Sequence, residues 1–239
     1  MTHTPEILSS TIVALGDFNP AIFSPDWLER NGLIGKADAD TARDKSQKQQ
    51  LLVSHQATTF ETKWFALQVL ENQFILSSKD ALSPALKDLA VGIFQLVPHT
   101  PVTAVGLNFQ AHFKLTSEDD YHRIGDVLAP KDIWNALCPE EAAGLTNVTI
   151  RLQHWKRGDP PPKSADHKNI SLQPSAVYKL GVYMSYNDHH DLNASVDDNS
   201  SSAERMVAII DKHWEPSWRE ATRVFDGVLS AALLEANKR

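Results

Sequence analysis

The chain of 239 residues contains one cysteine, Cys138. No intrachain disulfide can form, which fits a reducing compartment. Neither G-x-G-x-x-G nor G-x-x-x-x-G-K-[ST] occurs, so the common nucleotide folds lose their main support. A G-x-S-x-G elbow is also missing, and with it the usual setting of a serine nucleophile. Cys138 stands just before Pro139-Glu140-Glu141, where negative neighbours argue against a thiol nucleophile. No apolar run approaches the ~18 residues of a membrane span. Met1 to Glu6 lacks the basic and apolar regions of a signal peptide. The expectation is a cytoplasmic protein with no membrane contact. Positive charge is short as well, with 23 Lys and Arg against 30 Asp and Glu and a net charge of −7. Nucleic-acid binding would need a local basic patch, which short stretches such as Lys156-Arg157 and Lys238-Arg239 do not supply.

What is present is an ordered run of strand and helix patterns. Ile7 to Leu15 is rich in β-branched residues and reads as a strand, ended by turn chemistry at Gly16 to Pro20. Ser24-Pro25-Asp26 is a helix start: a cap, a proline suited to the first helical position, and an acid at the positive end of the dipole. Residues 35–50 are polar with almost no large apolar group, and read as a flexible loop or linker. Leu51 to Glu61, Lys63 to Leu70 and Phe74 to Leu76 form an expected meander, with Glu71-Asn72 at a tight turn.

Ser83-Pro84 opens a helix whose apolar positions Leu86, Leu89, Ala90, Ile93, Phe94 and Val97 recur at spacings of three and four. Val102 to Leu115 alternates, with Val105, Leu107, Phe109, Ala111 and Phe113 on one face and Asn108, Gln110 and His112 on the other. Ser117 to Asp120 caps a helix to about Leu128, and a short helix follows over Pro130 to Leu137. Strands are expected over Asn147 to Trp155, Asn169 to Gln173 and Ala176 to Tyr186, then a polar loop over residues 187–202. A terminal helix of more than 30 residues begins near Ser202, with a kink or break expected at Pro216. The fold class is therefore α+β: antiparallel sheet packed against helices, with a long C-terminal helix. Residues 1–239 read as one domain, with similar strand–helix halves at about residues 50–100 and 145–236.

The densest titratable cluster is Asp188-His189-His190-Asp191. Imidazoles and carboxylates ligate divalent metals, and His112 or His167 could complete a set. Adjacent histidines diverge in most backbones, however, so the cluster also reads as a solvated loop at a strand end, and no metal or other cofactor is assigned from sequence. Other histidines that could meet on a polar strand face are His55, His112 and His154. Trp214 and Trp218 lie four apart and share one helical face, as core packing or as an interface.

Three local patterns, Lys63-Trp64-Phe65-Ala66, Ala104-Val105-Gly106-Leu107-Asn108-Phe109, and a closing helix with His213-Trp214 and Phe225, occur in this order. Together they resemble a group of uncharacterised bacterial proteins of about this length. In that group a Gly-Leu-Arg-Tyr-like strand follows the central helix; here the arginine is replaced by Asn108. The resemblance implies a bacterial or mobile-element origin and an α+β fold, but no activity. The long terminal helix is also similar to that of helix-grip folds, an analogy of fold alone. The sequence thus leads first to a non-enzymatic component that binds a protein partner or itself, through Trp214, Trp218 and the loops. The alternatives are a binder or enzyme with an apolar pocket between sheet and helix, rimmed by groups such as His112 or Tyr183, and a metal-dependent hydrolase built on His189, His190 and Asp191.

Overall fold

A computed structural model describes residues 3–44, 51–79, 84–153, 160, 165–193 and 200–234. The first half contains β1 (Ile7–Gly16), α1 (Pro25–Arg30), α2 (Lys36–Arg43), β2 (Leu52–Val53), β3 (Ala57–Glu61), β4 (Phe65–Leu70), β5 (Gln73–Ser78) and α3 (Pro84–Leu96). The second contains β6 (Val102–Lys114), α4 (Glu118–Leu128), α5 (Asp132–Leu137), β7 (Val148–Leu152), β8 (His167–Pro174), β9 (Gly181–Asp191) and α6 (Ser202–Leu234).

The strands form one sheet in the order β2-β3-β4-β5-β1-β6-β9-β8-β7, with antiparallel neighbours throughout. This is an α+β fold. The same order of elements occurs twice: a long strand, two short helices, a meander that returns beside that strand, and a longer helix. The repeating unit thus takes in the strand and short helices that precede each meander, ahead of the boundaries near residues 50 and 145 suggested by sequence. The long strands β1 and β6 pair at the centre of the sheet.

Alternation explains how the sheet is covered. In β6, Val105, Leu107, Phe109, Ala111 and Phe113 are buried, while Asn108, Gln110 and His112 lie half-exposed on the opposite face. Phe109 packs against Trp214 and Trp218 of α6, with ring centroids 5.3 and 5.5 Å away. In the first half, Phe74 of β5 meets Phe94 of α3 at 5.0 Å and Phe23 at 5.7 Å. Aromatic pairs of this kind add about 0.5–1.5 kcal/mol beyond the area they bury.

The open face is polar. Asn187 Nδ2 donates to Asn108 Oδ1 at 2.7 Å. Gly106 permits that approach, since a Cβ there would lie 2.7 Å from the same Asn187 nitrogen. The Gly106-Leu107-Asn108-Phe109 pattern thus divides into an opening for Asn187, two core side chains, and a polar partner on the open face.

Two local expectations are corrected. Part of the loop expected at residues 35–50 is helix α2, which buries only Ala39 and Ala42 and so offers no large apolar signature. The Arg43 guanidinium ties α2 to α1, donating to Asp26 and, at 2.8 Å, to Glu29; residues 45–50 lie outside the described residues. The terminal helix is not split at Pro216, because α6 runs through it for 33 residues, roughly 50 Å at 1.5 Å per residue. Proline has no N–H, so the Lys212 carbonyl, four residues earlier, receives no helical hydrogen bond. Among the described residues, no helix is long and apolar enough to cross a membrane.

Candidate metal centre

Sequence reading places residues 187–202 in a loop, but β9 extends through Asp191. Asn, Asp and His are poor strand formers. Here the long strand β6 supplies a complete partner, pairing Ala104↔Asp191 through Lys114↔Gly181 without interruption. Strand geometry then sorts the cluster by parity. Asp188 and His190 turn toward the helices and are 5% and 7% exposed. His189 faces the other way and packs on His167 of β8, ring centroids 4.5 Å apart. Burial, and then the charge of His167, lower the His189 pKa. Asp191 shapes the strand end: its N–H donates to Asp166 Oδ1 at 2.7 Å, and its Oδ1 accepts from the Asn193 N–H at 2.9 Å. The adjacent trio His189, His190 and Asp191 does not form one ligand set, because alternation sends His190 to the face opposite its two companions.

A different trio converges. Asp188, His190 and His213 each offer one ligating atom, and these atoms lie within 4.8 Å of one another. His213 comes from α6, with its ring 4.5 Å from that of His190. His190 Nε2 stands 3.3 Å from Asp188 Oδ2, yet this buried nitrogen has no partner in hydrogen-bond geometry. A divalent ion with ~2.1 Å bonds places cis ligand atoms about 3–3.5 Å apart. The Asp188–His190 spacing fits that range.

Two further groups orient this trio. Ser217, one helical turn beyond His213, is 2% exposed and donates its hydroxyl to Asp188 Oδ2. Asp166 Oδ2 lies 3.8 Å from His190 Nδ1, the side of the ring away from the ligating nitrogen. Carboxylates and hydroxyls in such positions commonly fix the tautomer and orientation of metal ligands. Burial acts to raise the Asp188 pKa. His190 and Ser217 outweigh it, joined by the charges of His190 and Lys168, and hold the carboxyl below its ordinary value. Burial, then the charge of His190, lower the His213 pKa, which favours the neutral imidazole that a metal would need. A Ser–His–Asp nucleophile does not fit: the Ser217 hydroxyl is buried and spent on the carboxylate, where a nucleophile would bond the imidazole.

The trio opens into a cleft of about 590 Å³ between the β8–β9 end of the sheet and the middle of α6. Its wall includes Gln153, Asp166, Lys168, Lys212, Pro216 and Glu220. Lys168 is directly opposite Asp188 in the strand register and forms an ion pair with Glu220. Behind them Tyr186 is fully buried, and burial followed by the carboxylates of Asp188 and Glu220 raises its pKa, keeping it a neutral phenol. Glu220 is itself held below its ordinary pKa: burial opposes this, but Lys168 and Tyr186 prevail.

The remaining sequence candidates lie elsewhere. His112 and Tyr183 stack on the open sheet face at 4.9 Å, away from the helices, and do not rim a pocket beneath α6. His112 Nδ1 is 2.9 Å from Ser175 Oγ, and burial lowers its pKa. Trp214 is 3% exposed and Trp218 half-buried, both committed to Phe109. His55 sits in the turn between β2 and β3, and His154 lies outside the described residues.

Sequence reasoning noted His213 only as part of the closing helix pattern and did not select Asp166, Lys168 or Ser217. The usable signals were an Asp-x-His alternation in a strand, and histidine and serine four apart on a helix that tolerates an internal proline. No family model and no curated protein matches the chain.

Proposed function

We propose that this chain binds one divalent transition-metal ion through Asp188, His190 and His213 and uses it on a small molecule held in the cleft, most simply in a hydrolytic reaction. The observation that carries this reading is His190 Nε2: nine-tenths buried, without a well-formed hydrogen bond, 3.3 Å from the Asp188 carboxylate, in a cluster whose three ligand atoms, one from His213, lie within 4.8 Å of one another. Two histidines and one carboxylate leave coordination positions open, as catalytic sites require. A bound ion there would polarise a water molecule or a substrate oxygen.

The test is isothermal titration of chelator-stripped protein with Zn²⁺, Co²⁺ and Mn²⁺, beside the His190→Ala and His213→Ala variants. One equivalent bound by the wild type, with affinity reduced at least ~10-fold in each variant, is expected. No saturable uptake, or equal uptake by the variants, would overturn the reading.

Partner binding draws on a different surface. In α5, Ile133, Trp134 and Leu137 are 68%, 59% and 71% exposed, an unusual load for a short helix facing water. This reading predicts that Trp134→Ser changes the native mass or removes a co-purifying protein without altering metal uptake. An unchanged assembly state would count against it.

A further inference from the structure

Resting on the metal reading, we infer that the molecule held in the cleft carries a compact oxyanion, a carboxylate or a phosphate. One of its oxygens would complete the coordination of the ion, and another would meet Lys212.

The reason is an imbalance in the cleft wall. Each carboxylate there is already engaged within the wall. Asp188 accepts from Ser217. Asp166 accepts the Asp191 N–H at 2.7 Å and faces His190 Nδ1. Glu220 is paired with Lys168. Lys212 is different. It is exposed on the helix turn that carries His213, lines the cleft, and has no carboxylate partner among the described residues. The acids beside it in α6 are occupied: Asp211 pairs with Lys87 at 3.2 Å, and Glu215 with Arg219 at 2.9 Å. Its charge is close enough to act on the His213 imidazole.

A divalent ion held by one ionised carboxylate adds a surplus positive charge next to this free ammonium. The Lys168–Glu220 pair is neutral as a unit, and Asp166 is directed to the Asp191 N–H and to His190 rather than to Lys212. The cleft therefore offers cationic and donor groups in search of acceptors. A neutral or cationic ligand would leave this surplus positive charge uncompensated, whereas an oxyanion would meet it.

The experiment uses the full chain loaded with Co²⁺, whose visible spectrum reports the coordination sphere. Co²⁺ is first titrated alone, and then inorganic phosphate, acetate and uncharged acetamide are each added to the loaded protein. Saturable spectral changes with phosphate or acetate, and none with acetamide at equal concentration, are expected. Lys212→Gln should weaken anion binding ~10-fold or more while leaving Co²⁺ affinity within about twofold, and Lys212→Arg should retain most of it. Failure of Co²⁺ itself to bind would defeat the metal reading before the anion is tested. Co²⁺ uptake with no response to either anion, or a response equal for acetamide, would overturn the oxyanion inference alone. So would an anion affinity unchanged in Lys212→Gln.

Discussion

At the scale of single residues, the site depends on side chains whose neighbours decide what they can do. Asp188 and His190 would be an isolated buried pair but for Ser217, which orients the carboxylate, and Asp166, which faces the rear nitrogen of the imidazole. Outer-shell groups of this kind typically alter metal affinity 10–100-fold. Ser217→Ala is expected to weaken Zn²⁺ binding by about that factor, measured by competition with a chromophoric chelator. Because a donor is lost from a buried carboxylate, a modest fall in melting temperature should accompany it. Metal affinity indistinguishable from wild type would show that Ser217 serves packing alone.

At the scale of elements, β9 and α6 each have two roles. Strand β9 contributes Val182, Met184 and Tyr186 to the core before presenting Asp188 and His190 on the same face. Helix α6 anchors itself through Trp214, Phe225 and Leu229 and offers His213 and Ser217 one turn apart. Trp214→Ala, which would empty the space against Phe109, is expected to cost about 3–5 kcal/mol in denaturant unfolding; a cost below ~1 kcal/mol would show that α6 is held mainly elsewhere. Pro216 is the local exception. It stands exposed inside a helix where proline is disfavoured by ~3 kcal/mol relative to alanine. Pro216→Ala should therefore raise the melting temperature by restoring a donor to the Lys212 carbonyl. An unchanged or lower melting temperature would mean that the backbone has already adjusted around the proline.

At the scale of the whole molecule, the cleft lies where the second meander, the long helix and the polar end of the sheet meet. The Lys168–Glu220 pair links β8 to α6 across it. Glu220 has a folded-state pKa below its ordinary 4.5. Its contribution to stability is thus present above the unfolded value and lost as pH falls through the folded one. Wild type and Glu220→Gln should differ in urea midpoint at pH 7, and that difference should shrink steadily below about pH 4.5. A difference that persists unchanged at pH 2–3 would show that the effect of Glu220 is not ionic. Because both side chains are partly exposed, the linkage is expected to be small and sensitive to salt.

Local periodicity was enough to reveal much of the architecture. The alternation of Val105 to Phe113, the apolar stripe of α3 and the length of α6 are written in neighbouring residues, because strands and helices repeat every two or 3.6 positions. The α+β class follows from their order. The turn at Glu71-Asn72 and the Ser24 cap, which accepts from the Trp27 N–H at 3.2 Å, are equally local. The end of β9 was not legible, since a polar segment became a strand only through pairing with β6. Nor was α2, whose alanines are too small to mark a face. The site was only half legible. Asp188 and His190 stand out as a titratable cluster, but choosing them over His189 and Asp191 requires the strand register. His213, Ser217 and Lys212 lie in a helix more than twenty positions away and reach the cluster because α6 folds back across the sheet. Sequence determined which segments alternate and which form helices, through short-range backbone geometry. Tertiary packing alone decided which polar side chains share one buried corner, because that depends on contacts between residues far apart in the chain.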